Sequence, residues 1–128
     1  MSGKLLNIIE SAYRATLEEQ DDTIVWLTHA LRGAGAPVDV LLEGNAVNYA
    51  VKGQTVPALR FGDRQQDHAP KVHEDLVSLV AKGVEVYAVE EDLQERGIEP
   101  GEIATEVKVV GFADVPKLIG LYDQIWRW

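Results

Sequence analysis

The sequence of 128 residues contains no cysteine. Disulfide bonds, thiolate catalysis, persulfides and cysteine-ligated metal sites are therefore excluded by composition alone. Positive charge is also scarce, since 12 Lys and Arg stand against 21 Asp and Glu and the formal net charge is −9. Nucleic acids and anionic membrane surfaces are bound through clustered positive charge. We therefore expect neither of them as a partner.

Long hydrophobic runs are missing as well. No stretch approaches the roughly 20 apolar residues that span a bilayer. The first apolar run has only about five residues, which is too short for the hydrophobic region of a signal peptide. We therefore expect a cytoplasmic protein. With 46% hydrophobic and 26% charged residues, the composition is typical of a globular protein, and residues 1–128 are expected to form a single domain.

Short apolar segments alternate with helical patterns along the chain. The segments at residues 4–10, 37–44, 84–89, 106–110 and 124–128 predict β-strands. Helical patterns begin near residues 21–23, 45, 71, 90 and 113, and residues 54–70 are expected to be irregular. This alternation predicts a single three-layer α/β/α domain with a mostly parallel sheet of about five strands and right-handed crossovers.

Polar residues follow the ends of the predicted strands, where ligands of open parallel sheets bind. Three strand ends carry carboxylates, which suit a hard cation or a cationic ligand. Two carboxylates in contact would raise the pKa of one of them. The alternative is that acidic residues stand there only to complement helix dipoles. The candidate pocket residues are Glu10, Ser11, Glu43, Asn45, Glu90 and Gly111.

Other chemistries find little support in the sequence. His68 and His73 match no zinc spacing, and His29 is expected beside Trp26 on the solvated face of the first helix. The glycines of "RGAGAP" follow a helix, whereas a dinucleotide-binding loop follows a strand. Ser11 lacks the context of a hydrolase nucleophile. We therefore predict no cofactor, no metal site and no catalytic residue.

Two tryptophans, Trp126 and Trp128, lie in the last predicted strand. Aromatic side chains of this size are usually buried, either in a core or across an interface. We expect one of them to lie in a subunit interface, which makes a homo-oligomer the predicted state.

The segment "LVSLVAKGVEVYAVEEDLQERGI" resembles the C-terminal half of DsrE/DsrF-like proteins. In that family a Gly-Val-x-Val strand leads to an active-site cysteine and then to a short helix that ends in Arg-Gly-Ile or similar. Here these places are taken by residues 83–86 and 96–98. The segments "LLNIIESAYR", "VDVLLEGNAVNYAVKG" and "EVKVVGFADVPKLIGLYDQIWRW" also resemble the family. The likeness covers nearly the whole chain.

The resemblance implies a three-layer α/β fold, assembly into trimers or hexamers, and partners in intracellular sulfur metabolism. The family cysteine carries a persulfide, and Val89 stands in its position, eight residues before Gly97. A valine cannot hold sulfur. Glu90, Glu91 and Asp92 would also raise the pKa of a thiolate placed there.

The function predicted from these residues is that of a non-catalytic DsrE/DsrF-like protein, an oligomeric accessory or binding subunit that cannot carry a persulfide. The alternative is a protein that binds a small ligand or cation in an acidic crevice of Glu10, Glu43 and Glu90. Because the family's strand-to-helix junction opens to a pocket, a cysteine introduced at Val89 is expected to be reachable by small reagents.

Overall fold

The computed structural model describes residues 3–13, 22–54, 58, 60–65 and 71–128. The strands are β1 (Leu5–Ile9), β2 (Val38–Leu42), β3 (Arg60–Phe61), β4 (Arg64–Gln65), β5 (Val86–Val89), β6 (Lys108–Val110) and β7 (Gln124–Arg127). The α-helices are α1 (Thr23–Gly33), α2 (Val72–Ala81), α3 (Glu90–Glu95) and α4 (Val115–Ile119). Three 3-10 helices cover Gly44–Ala50, Pro100–Glu102 and Phe112–Asp114.

The main sheet has five strands in the order β6-β5-β2-β1-β7. All four strand pairs in it are parallel. Every residue of β1 and β2 is buried, as expected for central parallel strands that are covered on both faces. The predicted α/β fold with a mostly parallel five-stranded sheet is therefore confirmed.

Two hydrophobic clusters lie on the two faces of this sheet. One face packs against α1, α2, α3 and the 3-10 helix Gly44–Ala50, and the fully buried Tyr49 is the largest side chain there. The opposite face packs against α4 through Val115 and Leu118. The sheet therefore lies between two layers of helices.

Helix α1 begins after Asp22, whose carboxylate accepts hydrogen bonds from the amides of Ile24 (2.9 Å) and Val25 (3.0 Å). Helical spacing in the sequence predicts an inner face of Ile24, Leu27 and Leu31. This is only partly correct, because Ile24, Val25 and Thr28 are the buried residues. Thr28 is inside because the buried Asn7 of β1 donates a hydrogen bond of 3.0 Å to its hydroxyl.

His29 is not the solvated residue that the helical spacing predicted. Its Nε2 atom lies 3.0 Å from the carbonyl oxygen of Asp75, and its Nδ1 atom lies 3.0 Å from Nζ of Lys82. His29 therefore links α1 to α2. Trp26 remains 59% exposed, as expected for the outer face.

Part of the segment predicted to be irregular forms a hairpin of β3 and β4. Gly62 opens its two-residue turn with a φ of 61°, a backbone conformation that glycine adopts without strain. His68 lies outside the described residues. His73 lies in the first turn of α2, next to Lys52 and Glu106, and its buried Nδ1 atom has no hydrogen-bond partner among the described residues.

Candidate functional site

Two glutamates meet at the carboxyl edge of the central strands. Glu10 directly follows β1 and Glu43 directly follows β2, and the ends of these strands are paired in register. Arg127 of β7, on the other side of β1, donates hydrogen bonds through Nη1 to both carboxyl groups. Three strands thus position a carboxyl pair, Glu10 and Glu43, around one guanidinium group.

The two members of the carboxyl pair differ in exposure. The Glu43 side chain is 15% exposed and that of Glu10 is 46% exposed. Burial, followed by the hydrogen bond with Glu10, raises the pKa of Glu43 to about 7, although Arg127 acts against this. The pKa of Glu10 is lowered, first by the hydrogen bond with Glu43 and then by Arg127. Below about pH 7 the pair therefore holds one proton, which resides on Glu43 and dissociates as the pH rises through about 7.

A second polar group lies beside the carboxyl pair, where α3 meets the 3-10 helix that follows β2. The side chain of Asp92 accepts a hydrogen bond of 2.8 Å from the amide of Gly44. The Asn45 Oδ1 atom accepts two from Arg96, at 3.1 Å from Nε and 2.8 Å from Nη2. Gly44 has a φ of 56°, which disfavours any larger residue at this turn.

These two groups line a cleft of about 670 Å³. The opposite wall is apolar and is formed by Phe112, Val115 and Pro116. Phe112 is 66% exposed, and its amide is held by a hydrogen bond of 2.8 Å to Oε1 of Glu91. A cleft with a hydrogen-bonding floor and an apolar wall suits a small organic molecule.

The structure brings together three of the six predicted pocket residues, namely Glu10, Glu43 and Asn45. Ser11 and Gly111 are close in sequence to cleft residues but do not line the cleft. Glu90 lines a different groove, on the outer side of α3. The predicted crevice of Glu10, Glu43 and Glu90 is therefore wrong for Glu90, which does not lie in the cleft with the other two.

The cleft residues that the sequence does not predict include Asp92, Arg96, Phe112 and Arg127. In the sequence, Arg96 stands out only as part of the Arg-Gly-Ile motif. The sequence contains one indication about Arg127. It lies between Trp126 and Trp128 in a predicted strand, and because side chains alternate along a strand, it faces away from both tryptophans. The position of β7 beside β1 was needed to bring it to the carboxyl pair.

Val89, the position that matches the family cysteine, is 1% exposed. It packs in the cluster beneath α4, together with Leu6 and Leu41. The expectation that this position opens to a pocket is therefore not met, because alternation along β5 directs the side chain of Val89 into the sheet face that α4 covers. Val115 belongs to the same cluster and also lines the cleft.

The two tryptophans of the last strand have different surroundings. Trp128 packs against the larger core cluster, and its Nε1 atom lies 3.4 Å from Oδ1 of Asn7. Trp126 is 38% exposed and contacts Trp128 edge to face, with ring centroids 6.4 Å apart. Trp126 is therefore the more exposed of the two tryptophans and the better candidate for the predicted interface.

Within the described part of the chain, no group of three or more His, Asp and Glu side chains has an arrangement that could hold a metal ion. In the cleft, the guanidinium group of Arg127 occupies the place between the two carboxyl groups. No helix among the described residues is long and apolar enough to cross a membrane.

No family model matches the sequence, and no curated protein matches it significantly. Solved structures do match. The ychN protein of E. coli is 17% identical, with a TM-score of 0.73 over 98% of this chain and 99% of that chain. That shared fold is DsrE-like.

Two further structures have the same fold, and both are described as proteins of unknown function. BT1422 from Bacteroides thetaiotaomicron is 11% identical, with a TM-score of 0.68 over 98% of this chain and 95% of that chain. MTH1491 from Methanobacterium thermoautotrophicum is 14% identical, with a TM-score of 0.66 over 99% of this chain and all of that chain. At these identities the likeness shows the fold alone.

Proposed function

We propose that this protein is a non-catalytic DsrE-like binding protein whose cleft holds a small organic cation, such as an amine or a guanidine. The observation that carries the proposal is the carboxyl pair of Glu10 and Glu43, which lines the cleft and is held together there by Arg127. A persulfide cannot be carried because the sequence has no cysteine.

The hydrogen bonds already formed among the cleft residues indicate whether a ligand should donate or accept hydrogen bonds. Arg127 donates to the carboxyl pair, and Arg96 donates to Asn45 and to the carbonyl oxygen of Asp92. The carboxyl oxygens still have lone pairs, because a carboxylate accepts up to about four hydrogen bonds. The floor of the cleft therefore favours a ligand that donates hydrogen bonds.

A cationic nitrogen fits this site better than a neutral donor. When the cation binds next to Glu43, its charge replaces that of the shared proton, so the proton is released and both carboxylates ionise. The apolar part of the ligand would then contact Phe112 and Pro116 on the opposite wall. A ring system or a short alkyl chain provides such an apolar part.

An accessory role beside sulfur-metabolism proteins is supported by the sequence resemblance and the DsrE-like fold. A homo-oligomer, either a trimer or a hexamer, is supported by the exposed fraction of Trp126. The cytoplasmic location remains a prediction.

Isothermal titration with amines, guanidines, carboxylic acids, Mg²⁺ and Ca²⁺ tests the proposal. We expect amines or guanidines to bind and to release up to one proton, measured by repeating each titration in buffers with different ionisation enthalpies. Glu43→Gln removes a charged hydrogen-bond partner and is expected to weaken binding about tenfold or more. Glu74→Gln, on the exposed surface of α2, is the matched control. Binding of acids or metal ions alone, or unchanged binding by Glu43→Gln, would contradict the proposal.

A further inference from the structure

The hairpin of β3 and β4 projects from the domain. All six of its residues, 60–65, are exposed, and Phe61 is 71% exposed. A two-stranded hairpin without packing on either face is marginally stable at best in water. Because residues 60–65 are all exposed, the hairpin packs only weakly against the rest of the described chain.

One face of this hairpin has a specific chemistry. Phe61 pairs directly with Arg64 across the two strands, and side chains of directly paired residues lie on the same face. The hairpin face, defined as Phe61 and Arg64, thus combines an aromatic ring with a guanidinium group. Arg60 lies on the other face of the hairpin and adds a second positive charge, in a chain whose formal charge is −9.

A surface of complementary chemistry lies beside β6, the edge strand at one end of the main sheet. Among the described residues β6 pairs only with β5. A groove of about 440 Å³ lies between α3, residues 97–103 and β6. This edge groove is lined by the apolar residues Leu93, Ile98, Ile103 and Val109, with Glu90 and Glu99 also in its lining.

The edge groove combines a buried floor with an open side. Leu93 and Ile103 are buried, at 5% and 6% exposure, whereas Val109 is 46% exposed. Glu90 and Glu99 are both exposed and provide two negative charges. An aromatic side chain accompanied by a positive charge matches this lining.

We infer that the hairpin face docks into the edge groove of a second copy of this chain. Phe61 would bury its ring against the apolar floor, and Arg64 would pair with Glu90 or Glu99. Because each chain has a net charge of −9, two copies repel each other at most orientations. The positive hairpin against the acidic groove is an orientation in which local attraction opposes that repulsion.

This contact joins two different surfaces and is therefore heterologous. Each copy supplies a hairpin to one neighbour and a groove to another, so that the contact closes into a ring or continues as an open assembly. A variant that lacks a functional hairpin keeps its groove, and a groove variant keeps its hairpin. Two defective variants should consequently restore one contact when they are mixed.

The mixing experiment uses Phe61→Ser and Val109→Arg and measures mass by light scattering. The wild-type chain is expected to be oligomeric, and each variant alone is expected to lose the hairpin contact and to have a smaller mass than the wild type. The mixture is expected to be heavier than either variant alone, by at least one chain of 14.1 kDa. Trp26→Ser, which removes a similarly exposed aromatic residue from α1, should keep the wild-type mass. A monomeric wild type, a Val109→Arg variant with the wild-type mass or a mixture no heavier than either variant would overturn the inference.

A cross-linking experiment does not depend on how well those variants fold. Because the chain contains no cysteine, single replacements provide unique thiols. Asp63→Cys, in the turn of the hairpin, mixed with Gln94→Cys, in the lining of the edge groove, should form a disulfide-linked dimer under mild oxidation faster than Asp63→Cys mixed with Trp26→Cys. Equal rates in the two mixtures would show that the hairpin does not reach the groove.

Discussion

Replacement of Glu43 by glutamine isolates the free energy required to ionise the less exposed member of the carboxyl pair. Glutamine has the shape of a protonated glutamate and keeps the capacity to donate a hydrogen bond to Glu10. It cannot ionise. The variant therefore behaves at every pH as the wild-type protein behaves when Glu43 is protonated.

The magnitude follows from the pKa of Glu43, which rises from 4.5 to about 7 on folding. A shift of roughly 2.5 units corresponds to about 3 kcal/mol, since one unit is about 1.4 kcal/mol. The folded chain binds this proton more tightly than the unfolded chain does. The resulting stabilisation is therefore complete below the unfolded pKa and is lost as the pH rises through about 7. No such loss occurs in Glu43→Gln.

We therefore expect the variant to be more stable by about 1.4 kcal/mol already at about pH 5.5, one unit above the unfolded pKa of 4.5. At about pH 8.5 the variant should be more stable by up to about 3 kcal/mol, which for a domain of this size is roughly 10 °C in Tm. Glu10 contributes little to the difference over this range because its pKa is lowered and it stays largely ionised.

Urea denaturation followed by tryptophan fluorescence measures the difference at several pH values. Glu74→Gln is the control, since Glu74 is exposed on α2 and its replacement should leave the pH dependence unchanged. Parallel curves for wild type and Glu43→Gln would refute the reasoning. Glu43 would then ionise like an ordinary glutamate, and the carboxyl pair would share no proton.

Two further replacements test the packing around the site. Thr28→Val leaves the buried amide of Asn7 without its acceptor and should lower the free energy of unfolding, measured with urea, by about 1–3 kcal/mol. The control is Thr23→Val, at an exposed position of the same helix, which should have little effect. Equal losses in the two variants would contradict the role of this hydrogen bond. Val89→Cys should react with a thiol reagent much more slowly than Leu121→Cys, because the two positions are 1% and 66% exposed. Similar rates would show that the junction of β5 and α3 opens.

The carboxyl pair could be predicted from the sequence because it depends on few assumptions. Glu10 and Glu43 each follow a short, apolar segment, and parallel strands place their carboxyl ends at one edge of a sheet. Glu90 satisfies the same rule and is still misplaced. It is the first residue of α3, so its direction is set by the helix rather than by β5.

Arg127 could not be placed in the same way. Strand order is a property of the whole fold, and the last strand of this sheet pairs with the first. Nothing in the local pattern of residues 124–128 distinguishes that position from one beside β6. The sequence alone therefore does not indicate that Arg127 contacts the carboxyl pair; the strand order is needed.

The inner face of α1 shows a different limit of sequence patterns. Apolar spacing selects Leu27 and Leu31, but a polar residue of β1 decides which side of the helix is buried. Asn7 is fully buried, and its side-chain amide requires a partner that Leu cannot provide. Thr28 meets this requirement, so hydrogen-bond satisfaction outweighs the difference in hydrophobicity.

The contacts of Arg127 have a consequence for folding. Its hydrogen bonds span 117 residues to Glu10 and 84 residues to Glu43, and such distant contacts form only after most of the chain is ordered. Partly folded chains would thus contain strands and helices but no carboxyl pair. Occupancy of the cleft would in that case report the globally folded population, and a bound ligand would slow exchange of amide hydrogens throughout the central sheet.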